Sequence, residues 1–180
     1  PGRSPPVIVA PPGKRFLTFT NVVEAHVLAS LRKKHNVELR SIRRAVTYVQ
    51  RTLKVEHPLA RERFKTDGVS LFVDRLGSLI NASEEGQLAM RAVLTDYLQR
   101  VEYDDDRAVR FFPLYRDEAP TVVVVDPRRA FGRPIVDGTS VPIDDLRARW
   151  DHGDTFAALA SDYRIDVATV EEALRAATAA

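Results

Sequence analysis

Leu39, Ile42, Val46, Val49 and Leu53 recur at steps of three and four residues, a spacing that lines one side of an α-helix. A chain patterned this way has to bury one stripe per helix, so packed helices are the expected framework. The helix predicted over about 37–54 also carries Arg40, Arg43, Arg44, Arg51 and Lys54, which fall opposite the apolar stripe within an arc of about 100°. Asn21 is placed to cap a preceding helix running to about His35, with Val22, Val23, His26, Val27, Ala29 and Leu31 on its apolar side. Five of eleven prolines fall in the first twelve residues, which predicts an extended arm over 1–13 rather than a helix.

Beyond Thr66 the pattern changes. Val69–Val73 and Leu79–Ile80 are short β-rich runs around Asp74-Arg75-Leu76-Gly77, and they predict a hairpin. Ser83 followed by Glu84, Glu85 and Gln87 predicts a capped helix reaching about Val101, ended by Asp104-Asp105-Asp106. Residues 109–115 and 121–125 are predicted strands, the first interrupted by Pro113. Three helices follow, over 142–150, from a cap at Asp154 to about Tyr163, and from a cap at Asp166 to about Ala177. The last two have the form of a helix-turn-helix around Arg164-Ile165, closing a small core from Phe156, Leu159, Ala160, Ile165, Val170 and Leu174.

Charge divides the chain. Residues 1–66 carry 14 Lys/Arg against 4 Glu, a net +10, while residues 67–180 carry a net −8. A basic third suits a polyanion, whose condensed counterions are released on contact, and an acidic remainder suits another polypeptide. Within 151–177 six acidic residues face two arginines, so the terminal helix pair reads as a protein-contact module and not a DNA reader. The stripe on the second helix, with Lys14 and Arg15 before it, is the nucleic-acid candidate; an exposed face that serves only solubility is the alternative.

Catalytic chemistry finds few participants. His26, His35, His57 and His152 stand at no metal-ligand spacing, and the Asp104–Asp106 run lacks the alternating ligands of a calcium loop. Asp126, after the apolar run Val122–Val125, has no second acid or nucleophile beside it and reads as a turn residue. No cofactor, metal or catalytic residue is expected. With no cysteine there is neither a disulfide framework nor a thiolate, which fits a reducing cytoplasm. No signal-peptide pattern opens the chain, and no apolar run approaches the ~20 residues of a membrane helix, so a soluble cytoplasmic protein is expected.

From about Pro127 the chain resembles domain-of-unknown-function family 433, found in bacterial antitoxins. The residues that carry the resemblance are Gly132-Arg133-Pro134-Ile135-Val136-Asp137-Gly138-Thr139-Ser140-Val141-Pro142-Ile143, then Gly153 and Val170-Glu171-Glu172-Ala173-Leu174. Gly132 and Gly138 suit turns on either side of a short strand, and Pro142 suits a helix start. Lys14–Phe19, Val22–Ala25 and Val37–Arg43 are similar, more loosely, to the second half of a MerR-type winged helix domain, in which a wing strand leads into two helices. That family's base-reading helices precede the wing, so either a segment lies upstream of Pro1 or the reader is lacking.

These resemblances imply a mainly α fold with small β elements: a winged-helix-like N-terminal remnant within 14–120, mixed α/β in its later part, and a helix-turn-helix-like antitoxin module over 121–180. They imply a VapB-like antitoxin that binds a PIN-domain ribonuclease toxin and represses its own operon at operator DNA, as a homodimer or a hetero-oligomer with the toxin. Toxin contact is expected from Arg128, Arg129 and Arg133, from Trp150, which otherwise reads as core, or from the Pro-rich arm. Gly132, Pro134, Gly138 and Thr139 are the family motif. A stand-alone MerR-like DNA-binding regulator, and a scaffold without a nucleic-acid partner, are the alternatives.

Overall fold

The computed structural model describes residues 6–11, 13, 16–113 and 121–178, apart from the side chains of Lys33 and Lys34. It divides into two compact units, residues 1–108 and 109–180. The described residues are mainly α-helical, with one small antiparallel sheet.

In the first unit α1 (Phe19–His35) starts in a reciprocal cap. Thr18 Oγ1 accepts from the Asn21 amide at 3.2 Å, and Asn21 Oδ1 accepts from the Thr18 amide at 3.1 Å. Asn21 is therefore the third residue of the helix and Thr18 its cap, and two otherwise orphaned amides are satisfied together. Asn36, at φ 47°, ends α1 in the left-handed region that asparagine tolerates, and α2 (Leu39–Leu53) begins shortly after it. Of the expected wing, Phe16 and Leu17 lead into this cap as bend and coil, with no strand among the described residues there; Lys14 and Arg15 lie outside the described residues.

The segment predicted as a hairpin is the helix α3 (Val69–Ile80), entered through a π-type turn at Phe64–Gly68. Val69, Phe72, Val73 and Leu76 are all buried at steps of three and four, so the helical period overrides their strand propensity once α2 and the following helix α4 (Glu84–Gln99) cover them. Gly77 sits inside this helix and not in a turn, and a Cβ there would displace the end of the flexible Gln87 side chain, 2.5 Å away. Ser83 caps α4 (Glu84–Gln99) through its Oγ, which accepts from the Gly86 amide at 3.2 Å. The unit's core runs through Val27, Leu31, Ile42, Val49, Phe64, Phe72, Leu76 and Leu94.

The predicted C-terminal extension of α4 to Val101 gives way to β1 (Val101–Asp104), followed by β2 (Arg107–Phe111). Asp105 and Asp106 have φ of 45° and 61°, the pair of left-handed residues that a two-residue hairpin turn requires. The aspartate run thus turns a hairpin instead of ending a helix. β2 stops at Phe111, short of Pro113, and Tyr115 lies outside the described residues.

The second unit is built on β3 (Val123–Val125) and β4 (Pro134–Val136), paired antiparallel with Val124 opposite Ile135 and Val125 opposite Pro134. On its other side β3 pairs antiparallel with the end of β2, Phe111 standing opposite Val125. α5 (Ile143–Asp151) follows Pro142, and α6 (Phe156–Tyr163) is capped by Thr155 Oγ1, not by Asp154. Asp154 has been drawn off by Arg149, whose Nε donates to it at 2.6 Å. Arg164, at φ 56°, ends α6, and Asp166 caps α7 (Val167–Thr178) by accepting from the Thr169 amide at 2.8 Å. Val123, Val136, Leu146, Leu159, Val170 and Ala173 close this unit's own core.

Phe72→Ala tests the reading of α3. The ring is fully buried and packs edge-on against Phe64 with centroids 5.8 Å apart. Its removal is expected to cost about 3–5 kcal/mol in unfolding free energy by chemical denaturation, whereas truncating the exposed Ile80 of the same helix is expected to change stability by no more than about 0.5 kcal/mol.

Candidate interaction surfaces

Fifteen residues of α2 include Arg40, Arg43, Arg44 and Arg51 and no acidic side chain. Burial of Ile42, Ala45, Val46 and Val49 orients the helix so that Arg40, Arg44, Arg51 and the cap residue Lys54 are exposed. None of these four makes an ion pair with a described residue. Arg43 departs from the stripe: it is half-buried, its Nε has no hydrogen-bond partner among the described residues, and it lines an apolar groove with Val7, Ile8, Leu28 and Leu39. Leu39, expected in the buried stripe, is 42% exposed at this groove. The arm is docked here: Val7 and Ile8 pack on the helical core, and the Val9 carbonyl accepts from Asn21 Nδ2 at 3.1 Å.

Sequence reasoning overlooked a polar pair beneath that arm. Glu24 is 4% exposed, and its Oε2 lies 3.0 Å from His57 Nδ1 and accepts from Asn21 Nδ2 at 3.4 Å. His57 stands 33 positions away, with φ 54°, and leads into the short helix Pro58–Ala60. A half-open cavity of about 500 Å³ separates this pair from Val7, Val9 and Pro11. The single signal in the sequence was Glu24 on the apolar side of an amphipathic helix.

In the second unit the family motif is a braced hairpin connection. Asp126 is 4% exposed and accepts from three donors of Arg128: the amide at 2.9 Å, Nε at 3.1 Å and Nη2 at 3.1 Å. These bonds hold its carboxyl below the usual carboxylate range, with the Arg128 side chain the largest cause. Arg129 Nη1 donates to the Thr139 carbonyl at 3.0 Å, and Arg133 Nη2 donates to Asp145 at 2.8 Å. Gly132, at φ 76°, and Gly138, at φ 75°, occupy the turns at the two ends of β4, whose first residue is Pro134. Thr139 Oγ1 donates to the Val136 carbonyl at 2.7 Å and accepts from the Val141 amide at 3.0 Å, closing the second turn.

Trp150 is 41% exposed, which corrects the reading of it as core. The core of this unit closes around Leu146 and Leu159 and leaves Trp150 at its rim, where the indole stacks on Phe156 with centroids 6.1 Å apart. The two rings form one wall of an apolar groove completed by Leu174, with Glu171 and Arg175 at its edge. Among the described residues no group of three or more His, Asp or Glu is placed to hold a metal ion, and no helix is long and apolar enough to cross a membrane.

Residues 123–176 match the family described as "Protein of unknown function (DUF433)". A Mycobacterium tuberculosis protein named "Putative antitoxin VapB45" is 31% identical over 178 residues, which spans 91% of this chain and 72% of that protein. The chain belongs to the DUF433 family of VapB-like antitoxins. Among solved structures, the X-ray crystal structure of Rv2018 from Mycobacterium tuberculosis is similar at a TM-score of 0.71 and 27% identity, covering 94% of this chain and 85% of that one.

The DUF433 match runs from β3 into α7 and takes in Asp126, Gly132, Pro134, Gly138, Thr139 and Trp150, whereas the α2 stripe and the Glu24–His57 pair stand outside it. Family membership thus bears most directly on the braced connection. Asp126→Asn retains the shape but turns an acceptor into a donor facing Arg128, and is expected to cost about 1–3 kcal/mol at pH 7. Because the folded carboxyl titrates below its ordinary value of 3.8, its contribution is full above that pH and vanishes once the pH falls beneath the folded-state value. Denaturation curves of the two proteins are therefore expected to converge as the pH is lowered through and below 3.8.

Proposed function

We propose that this protein acts by binding and not by catalysis, neutralising a PIN-domain ribonuclease toxin through its second unit and repressing the shared operon through its first. Family membership supports the toxin partner. The observation that carries the division of labour is α2: an exposed row of Arg40, Arg44, Arg51 and Lys54 on a helix with no acid of its own. Such a row meets successive phosphates and fixes the protein on a duplex without reading bases. Lys14 and Arg15, which lie outside the described residues, are proposed as further phosphate contacts, and Arg43 takes a packing role against the docked arm.

The second unit supports protein contact on electrostatic grounds. A net charge of −4 over 151–177 repels a polyanion from the α6–α7 pair, and the first turn of α7 holds its aspartate in a cap. Trp150 offers an apolar anchor of the kind that dominates protein interfaces. Arg128, Arg129 and Arg133 are each engaged within the unit, so their proposed contribution is to shape the connection that meets the toxin.

Two measurements test the scheme. Co-expression with the product of the adjacent gene is expected to relieve growth arrest and to yield a complex that co-purifies; persistent arrest with both proteins present and soluble refutes the antitoxin reading. For repression, the triple variant Arg40→Ala, Arg44→Ala, Arg51→Ala is expected to bind its promoter DNA more weakly, with the slope of log affinity against log salt reduced by about 1 per lost phosphate contact. An unchanged affinity and slope would remove α2 from the DNA interface.

A further inference from the structure

The connection between β3 and β4 holds a feature that neither packing nor the family motif accounts for. Phe131 is 104% exposed, as open as in an isolated extended peptide. Its φ is 55° and that of Ala130 is 42°, and Gly132 follows at 76°, so three consecutive residues occupy the left-handed region. Only the glycine adopts it freely; for alanine and phenylalanine it costs about 1–2 kcal/mol each. An aromatic ring held wholly in water returns no burial energy to offset the strained backbone that carries it.

The strain persists because both flanks are over-determined. The Arg129 amide donates to the Asp126 carbonyl at 3.0 Å, the Gly132 amide to the Arg129 carbonyl at 2.9 Å, and the Arg133 amide to the Ala130 carbonyl at 3.1 Å. The buried Asp126 clamps Arg128 ahead of the tip, and Ala130 packs against Phe112, Val124 and Ile135 below it. The backbone that carries the ring is thereby held in place, so that only the side chain's own rotamers are left to order on contact.

We propose that Phe131 is the anchor of a protein interface, a single ring that inserts into an apolar pocket of the partner toxin; this rests on the toxin-binding reading above. Charge distinguishes a protein pocket from stacking on a nucleobase. Residues 126–145 carry three arginines and four aspartates, a net −1, and Arg128, Arg129 and Arg133 donate to Asp126, the Thr139 carbonyl and Asp145 respectively. A strand of phosphates gains nothing from such a surface, whereas an apolar pocket gains the full burial of the ring.

Titration calorimetry of the full chain with the toxin encoded beside it, for wild type, Phe131→Ala and Phe131→Leu, tests this. Phe131→Ala is expected to weaken the complex by at least about 30-fold and Phe131→Leu by much less, while the Tm of the free chain stays at or above that of wild type. Alanine binding within twofold of wild type overturns the proposal and leaves the antitoxin reading intact; wild-type protein that fails to bind overturns both. Two further outcomes also overturn it: loss of single-stranded RNA binding in Phe131→Ala with toxin affinity unchanged, or dissociation of a toxin-free dimer by the same substitution.

Discussion

Burial of one apolar stripe per helix is the constraint on which the described structure rests. In the first unit Ile42, Val46 and Val49 of α2 are removed from water against the stripe of α3, and this single requirement turns Arg40, Arg44 and Arg51 outward. A basic surface is thus a consequence of core packing. The same logic operates in the second unit, where Leu146, Leu159 and Val170 bring three short helices together although none is long enough to be stable alone.

Polar bonds then specify what apolar burial leaves loose. Short strands such as β3 and β4 have few ladder bonds, and the buried carboxylate that follows β3 fixes the turn leaving that strand through its bonds to Arg128. Asp126 resists protonation because its oxygens accept from both the side chain and the backbone of Arg128. Arg149 plays a comparable part between the helices, bonded to Asp154 and Asp162 and lying over the ring of Tyr163 at 5.4 Å. In the first unit the buried Glu24 joins α1 to a residue 33 positions later, so the docked arm and the short helix at Pro58 share one polar junction.

Elements whose cause is local were legible in the sequence. The cap at Ser83, the cap at Asp166, the stripe of α2 and the glycines around β4 all depend on residues within a few positions of one another. Residues 69–80 were not, because valine, phenylalanine and leucine at that density satisfy a strand or a helix equally until their neighbours decide which face is covered. Val101–Asp104 was missed for the related reason that an aspartate pair in the left-handed region marks a hairpin only if strands stand on both sides. The Glu24–His57 pair and the exposure of Trp150 left little trace, since each depends on how separate elements meet.

What the sequence determined by itself was the helical period, the segregation of charge between the chain's beginning and its end, and the turn chemistry of the DUF433 motif, all of which follow from residue identity and near-neighbour spacing. What the tertiary structure decided was which of those side chains remain in water. Exposure is a property of the packed whole: Arg43 and Arg44 are adjacent in the chain, yet one lies in an apolar groove and the other faces solvent. Phe131 is left entirely outside by a backbone that only the surrounding hydrogen bonds could hold in place.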